Sequence, residues 1–179
     1  DKSRSRGLGD VYKRQLISEP ILQNFGMGPG KEWFSGSSAA FFTLDLPRNK
    51  DATFRLTSNL KGLEIRIPEL GWKKNETSLA NLEVLGHISD RIKYDKLIIS
   101  GEGLEVDLRI NNNEKFIIER LVREDILDIS GAISKNGFEI TGGEVNIANY
   151  LKAIDSKRKS DFSTPIFVNL DRLDITDSF

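Results

Sequence analysis

The single histidine, His87, lies between Gly86 and Ile88, and the chain contains no cysteine. A histidine-centred metal site would have to complete itself with carboxylates, and a Ser-His-Asp site would need this same imidazole. No Gly-x-Ser-x-Gly elbow accompanies it. The simpler reading is a solvated histidine at a strand end or turn. Glu124-Asp125 and the pair Glu102 and Glu105 have the types for acid–base work. Carboxylates on the wet side of strands look the same, and no feature of the sequence marks these as buried. Gly26-Met27-Gly28-Pro29-Gly30 has the glycine content of a phosphate loop but lacks the Gly-Lys-Ser/Thr ending, so it reads as a connector. Trp33 and Trp72 sit in loop-like stretches and read as packing plugs rather than ligand stackers. No catalytic, cofactor or metal residue is assigned, and the chain is expected not to be an enzyme.

Composition narrows the class. The 179 residues are 38% hydrophobic and 30% charged, a balance that supports one globular unit with a real core. A formal charge of -1 without a basic block argues against a nucleic-acid partner. The apolar runs are a few residues long, far below the ~20 needed to cross a bilayer. The first fifteen residues, DKSRSRGLGDVYKRQ, read differently and look like translated adapter sequence, a leader distinct from residues 16–179. The remainder holds 21 basic and 25 acidic side chains, five and two fewer than the whole chain's 26 and 27.

The elements that would position these residues are mostly strands. One early helix is expected, with Ser18 as cap and Ile17, Ile21, Leu22 and Phe25 on one face. From Phe41 the period becomes two: Phe42, Leu44 and Leu46, then Phe54, Leu56, Ser58 and Leu60, then Leu63, Ile65 and Ile67 up to Pro68. A loop spans Pro68 to Glu76. The cleanest strand is 104–110, where Leu104, Val106, Leu108 and Ile110 oppose Glu105, Asp107 and Arg109. Asn111-Asn112-Asn113 and Lys135-Asn136-Gly137 read as turns, the second leading into Phe138 and Ile140. Ile147, Tyr150, Leu151 and Ile154 have helical spacing. A loop runs from Asp155 to Thr164. A parity change between Leu170 and Leu173 predicts a bulge at Asp171-Arg172. The fold class is mainly β: a curved antiparallel sheet, groove or half-barrel, with one or two short helices.

Such strands need a cover. Burying one Val, Leu or Ile is worth ~1.5–3 kcal/mol, so the four apolar residues of 104–110 represent roughly 6–12 kcal/mol. Whole domains are stable by only about 5–15 kcal/mol. A second sheet, a helix, a partner or lipid can supply the cover, and alternation does not choose among them. A closed sandwich or barrel, acting as a structural or adhesive module, satisfies the pattern as well as an open groove does.

The stretch Leu56-Thr57-Ser58-Asn59-Leu60-Lys61-Gly62-Leu63-Glu64-Ile65-Arg66-Ile67-Pro68-Glu69-Leu70-Gly71-Trp72-Lys73-Lys74 resembles the AsmA-like/YhdP family of large Gram-negative envelope proteins. There a strand of this form runs through proline into a Leu-Gly-Trp-x-Lys loop. Trp33-Phe34-Ser35-Gly36, Leu44-Asp45-Leu46-Pro47, Ser100-Gly101-Glu102-Gly103-Leu104 and Pro165-Ile166-Phe167-Val168-Asn169-Leu170-Asp171-Arg172-Leu173 agree with it. Asn75-Glu76 departs from it, standing where the family continues with glycine.

The resemblance implies a segment of a periplasmic β-groove, anchored in the inner membrane by a helix elsewhere in the parent. Such a groove carries phospholipid acyl chains toward the outer membrane, without cofactor or metal. Leu63, Ile65, Ile67, Leu104, Val106, Leu108, Ile110, Phe138 and Ile140 are the candidate lipid-facing stripe.

Overall fold

The computed structural model describes residues 8–18, 33–111, 115–134, 137–154 and 166–175. In chain order the strands are β1 (Leu8–Ser18), β2 (Phe34–Leu46), β3 (Ala52–Ser58), β4 (Leu63–Ile67) and β5 (Trp72–Lys74). Then follow β6 (Asn81–Ile88), β7 (Ile92–Gly101), β8 (Leu104–Ile110), β9 (Phe116–Arg123), β10 (Leu127–Ser134) and β11 (Gly137–Asn146). Helix α1 (Ile147–Ala153) precedes β12 (Ile166–Val168) and β13 (Arg172–Asp174), and a 3-10 turn (Pro68–Leu70) joins β4 to β5. All thirteen strands belong to one open, curved sheet.

From β6 to β11 each strand pairs antiparallel with the next, as hairpin-linked strands do. Ser134 pairs with Gly137, so β10 and β11 are joined through two residues at the expected turn. β12 and β13 instead join β11 in parallel. This departs from the all-antiparallel expectation. A parallel neighbour requires a crossover, and α1 lies in that connection.

The strand β1 pairs with β2 from Leu8↔Leu46 to Ser18↔Ser37 and includes part of the segment that reads as a leader. Ile17 and Ser18 end this strand rather than opening a helix. The rest of the expected early helix, the Gly26–Gly30 connector, residues 112–114 and 135–136 of the two turns, and the 155–164 loop lie outside the described residues.

The alternation expected to run through Leu60 ends at Ser58, and the chain kinks there before β4. Along one edge of β2 the pairing Ala40↔Ser58 of β3 gives way to Gly36↔Leu63 of β4. Between them Leu60 takes φ 52°, a left-handed conformation costing about 1–2 kcal/mol for a side chain of this kind. Leu60 is buried in the core, and its N–H is taken by Ser58 Oγ at 3.0 Å, which together offset that cost. The kink folds β4, the 3-10 turn and β5 back across the sheet, so the Pro68–Glu76 stretch is not the plain loop that was expected.

The sheet curves for a second reason. Register shifts fall inside the β6–β7, β8–β9, β9–β10 and β10–β11 pairings. Each extra residue bends its strand and tightens its twist. The bulge expected at Asp171-Arg172 falls in the gap between β12 and β13, bridged by Asn169 N–H to Ile140 O and Asp171 N–H to Gly143 O. The register against β11 is the same on both sides, Ile140↔Val168 and Glu144↔Arg172, so no extra residue is inserted there.

Candidate functional site: a partly roofed apolar trough

Register aligns the inward residues into rows that run across the strands. One row passes Phe42, Leu56, Val84 and Leu97. It continues through Leu108, Ile118, Gly131 and Ile140 to Val168. At ~4.8 Å per strand this crosses roughly 38 Å. A parallel row holds Leu104, Arg123, Leu127, Val145 and Leu173, and another Ile110, Phe116, Ile133, Phe138 and Ile166.

The two ends of these strands differ in burial. Leu104 is 0% exposed and Leu127 8%, whereas Ile133 at the other end is 40% exposed. The cause is a roof over the first end. Leu60, Leu63, Ile65 and Trp72, from β4, β5 and the kink, share a buried cluster with Leu82 and Leu104. Trp72 donates its indole N–H to Glu102 O at 2.9 Å, pinning β5 to the β7–β8 turn. Tyr150 and Ala153 of α1 pack with Leu127, Ile129, Phe138 and Ile140 in a second cluster. Leu70 and Leu121 touch both clusters.

Within the roof Lys74 is 0% exposed, its Nζ donating to Leu63 O and Asn75 O at 2.9 Å each. Burial holds its pKa below the usual lysine value, against the opposing pull of Glu102. On the floor, Phe54 stacks on Phe42 at 5.7 Å and meets Tyr94 edge-on at 5.9 Å, across the side-chain-free Gly86. Arg123 is the one charged residue on the rows; its Nε is buried without a hydrogen-bond partner, and Nη1 reaches Gly103 O at 3.3 Å.

The outer face carries cross-strand ion pairs. Arg55 meets Glu83 at 2.7 Å, Lys96 meets Asp107 at 3.0 Å, and Arg120 lies between Asp128 and Glu105. His87 joins this face, its Nδ1 2.9 Å from Asp95 Oδ2. Among the described residues no group of three or more His, Asp or Glu converges on a metal-sized site. None of their helices is long and apolar enough to cross a membrane.

The nine stripe residues divide into three groups. Leu63, Ile65 and Ile67 belong to the roof. Leu104 lies beneath it, fully buried. Val106, Leu108, Ile110, Phe138 and Ile140 are half-buried on the floor. The roof residues Trp72, Lys74, Tyr150 and Leu70 were not foreseen as parts of a site. The bulges had a sequence signal: inward parity changes from Tyr94 to Leu97, Ile118 to Leu121 and Ile140 to Val145. No family model, curated protein or solved structure matches the chain.

Proposed function

We propose that this chain is a segment of an envelope protein that shields or conducts phospholipid acyl chains along the floor of the trough. It would do so in the periplasm, as part of a protein anchored in the inner membrane, and without catalysis. The observation that carries the reading is the set of apolar rows across an open, curved sheet whose other face is charged. The less covered row from Ile110 to Ile166 crosses five strands, roughly 19 Å at ~4.8 Å per strand. That exceeds one leaflet's half of the ~30 Å hydrocarbon core, so an acyl chain has room along it. Head groups would stay at the wet margin, and no bond is made or broken.

Native mass spectrometry of the protein mixed with phosphatidylethanolamine and phosphatidylglycerol vesicles tests this. Bound phospholipid is expected in wild type, with weaker retention in Ile110→Asp. A folded wild-type protein that retains no lipid at any ratio overturns the reading. Val106→Asp is the sterner variant, expected to abolish lipid carriage in the full-length protein. Because Val106 packs against the buried cluster, folding must be checked alongside it.

A second reading is a structural or adhesive module, and the full burial of Leu56, Val84 and Ile118 favours it. It predicts intact folding and no lipid in the same measurement.

A further inference from the structure

The roof is built from two pieces that reach it from different parts of the chain. The first, β4 to β5, is fixed to the sheet by the pairing of β4 with β2 and by Trp72 on Glu102 O, while Lys74 on Leu63 O ties β5 to β4. The second, α1, is fixed beside β10: Asn146 caps it through Asn149 N–H, and Asn149 Nδ2 donates to Asp125 O at 2.8 Å. Each piece is therefore anchored without the other. They meet at one small contact. Tyr150 Oη donates to Glu69 O at 3.0 Å, across 81 residues of sequence. Gly71, at φ 56°, lies against Ala153 so closely that a Cβ there would stand 2.5 Å from Ala153 O. Leu70 sits at the seam between the two clusters.

Both meeting elements are slight. Neither the 3-10 turn nor α1 contains a buried residue, and Leu151 of α1 is 61% exposed. Segments with few buried apolar contacts are the ones that open locally while the rest of a fold stays intact. Beneath this seam lie Leu121, which packs against both clusters, and Leu127, on the Leu104–Leu173 row at the roofed end of the strands. A long apolar chain on the open row at the other strand end can reach that covered row only if the seam parts.

We propose that the contact between Tyr150 and the Glu69–Gly71 segment is a releasable clasp, whose opening sets how fast an acyl chain enters the roofed part of the trough. The proposal rests on the lipid reading above.

Stopped-flow uptake of parinaric acid, a fluorescent fatty acid, by the intact chain tests it. Tyr150→Phe keeps the ring and deletes the hydrogen bond; uptake should quicken by roughly two- to tenfold, the ratio one ordinary hydrogen bond gives. Gly71→Ala, which crowds Ala153, should quicken it in the same direction. Because the chain lacks cysteine, Glu69→Cys with Tyr150→Cys can be bridged by a short bis-maleimide, and the bridged protein should take up the probe more slowly than its unbridged control. Uptake by wild type at a rate that Tyr150→Phe and the bridge both leave unchanged overturns the clasp and spares the lipid reading. No uptake by folded wild type overturns both. A lowered melting temperature in Tyr150→Phe with an unchanged uptake rate marks the contact as purely structural and also overturns the clasp.

Discussion

One strand, β8, has two fates. Leu104 at its start is fully buried, whereas Ile110, six residues on and on the same face, is half-exposed. Their types, spacing and neighbours in the alternation are equivalent. What separates them is Trp72 and Leu63, which return over the first end of the strand from 32 and 41 residues before Leu104 in the chain. An apolar stripe therefore reports that a cover is needed, while the cover itself is decided by distant chain. The roofed end behaves as a protein core, and the unroofed end is where another molecule can supply the missing contacts.

The largest test of that contrast is truncation at each end. Leu104→Ala removes atoms from a closed site and should cost about 2–5 kcal/mol of stability. Ile110→Ala already faces water in part, so its loss should be no more than about half as large. Urea unfolding of the two variants decides it. Equal losses would mean that the open end is as tightly covered as the roofed one.

Lys74 gives the next largest effect. Lys74→Met leaves the carbonyls of Leu63 and Asn75 without their donor, a cost of about 1–3 kcal/mol for each that stays dry. Relief from burying a cation offsets part of that cost. The pH dependence isolates the charge. With the folded pKa below the ordinary lysine value of 10.5, the unfolded chain holds the proton more tightly between the two values. Wild-type stability should therefore rise with pH through the window below 10.5 and gain nothing further from Lys74 above it. Tyr94 and Tyr150, whose pKa values burial raises, work in the opposite sense above pH 10, so the comparison is best made below it. Lys74→Met should flatten the rise; an identical slope in both proteins removes Lys74 from the account.

How much of this the sequence discloses follows from the same residues. The strands at 54–58, 63–67 and 104–110 and the helix around Tyr150 are legible because each has a local period. The curvature was half legible: parity breaks at Tyr94 to Leu97 and Ile118 to Leu121 have the same form as the one at Leu170 to Leu173 that predicts an irregularity. The roof was not legible. It depends on Leu60 turning left-handed and on Gly71 meeting Ala153, contacts between residues 82 apart in sequence. Lysine in the Leu-Gly-Trp-Lys-Lys stretch also reads as solvated surface, yet Lys74 closes two backbone carbonyls inside the core. The expected stripe consequently spans two settings, the half-buried floor and the roof.

The smallest effect is expected on the outer face, and it tests whether the charged side contributes anything beyond wetness. Arg120 is held between Asp128, at 2.8 Å, and Glu105, so it links β8, β9 and β10. Its side chain and both partners are largely exposed, however, and water and salt already screen such a trio. Arg120→Ala should move the urea midpoint less than either roofed substitution, and the remaining difference should fade in 1 M salt, where the screening length is about 3 Å. It should also leave parinaric acid uptake unchanged, because the trio faces away from the rows that would receive the chain. A loss comparable to that of Leu104→Ala would mean that the ion pairs hold the curvature, and the bulges would then no longer suffice as its cause.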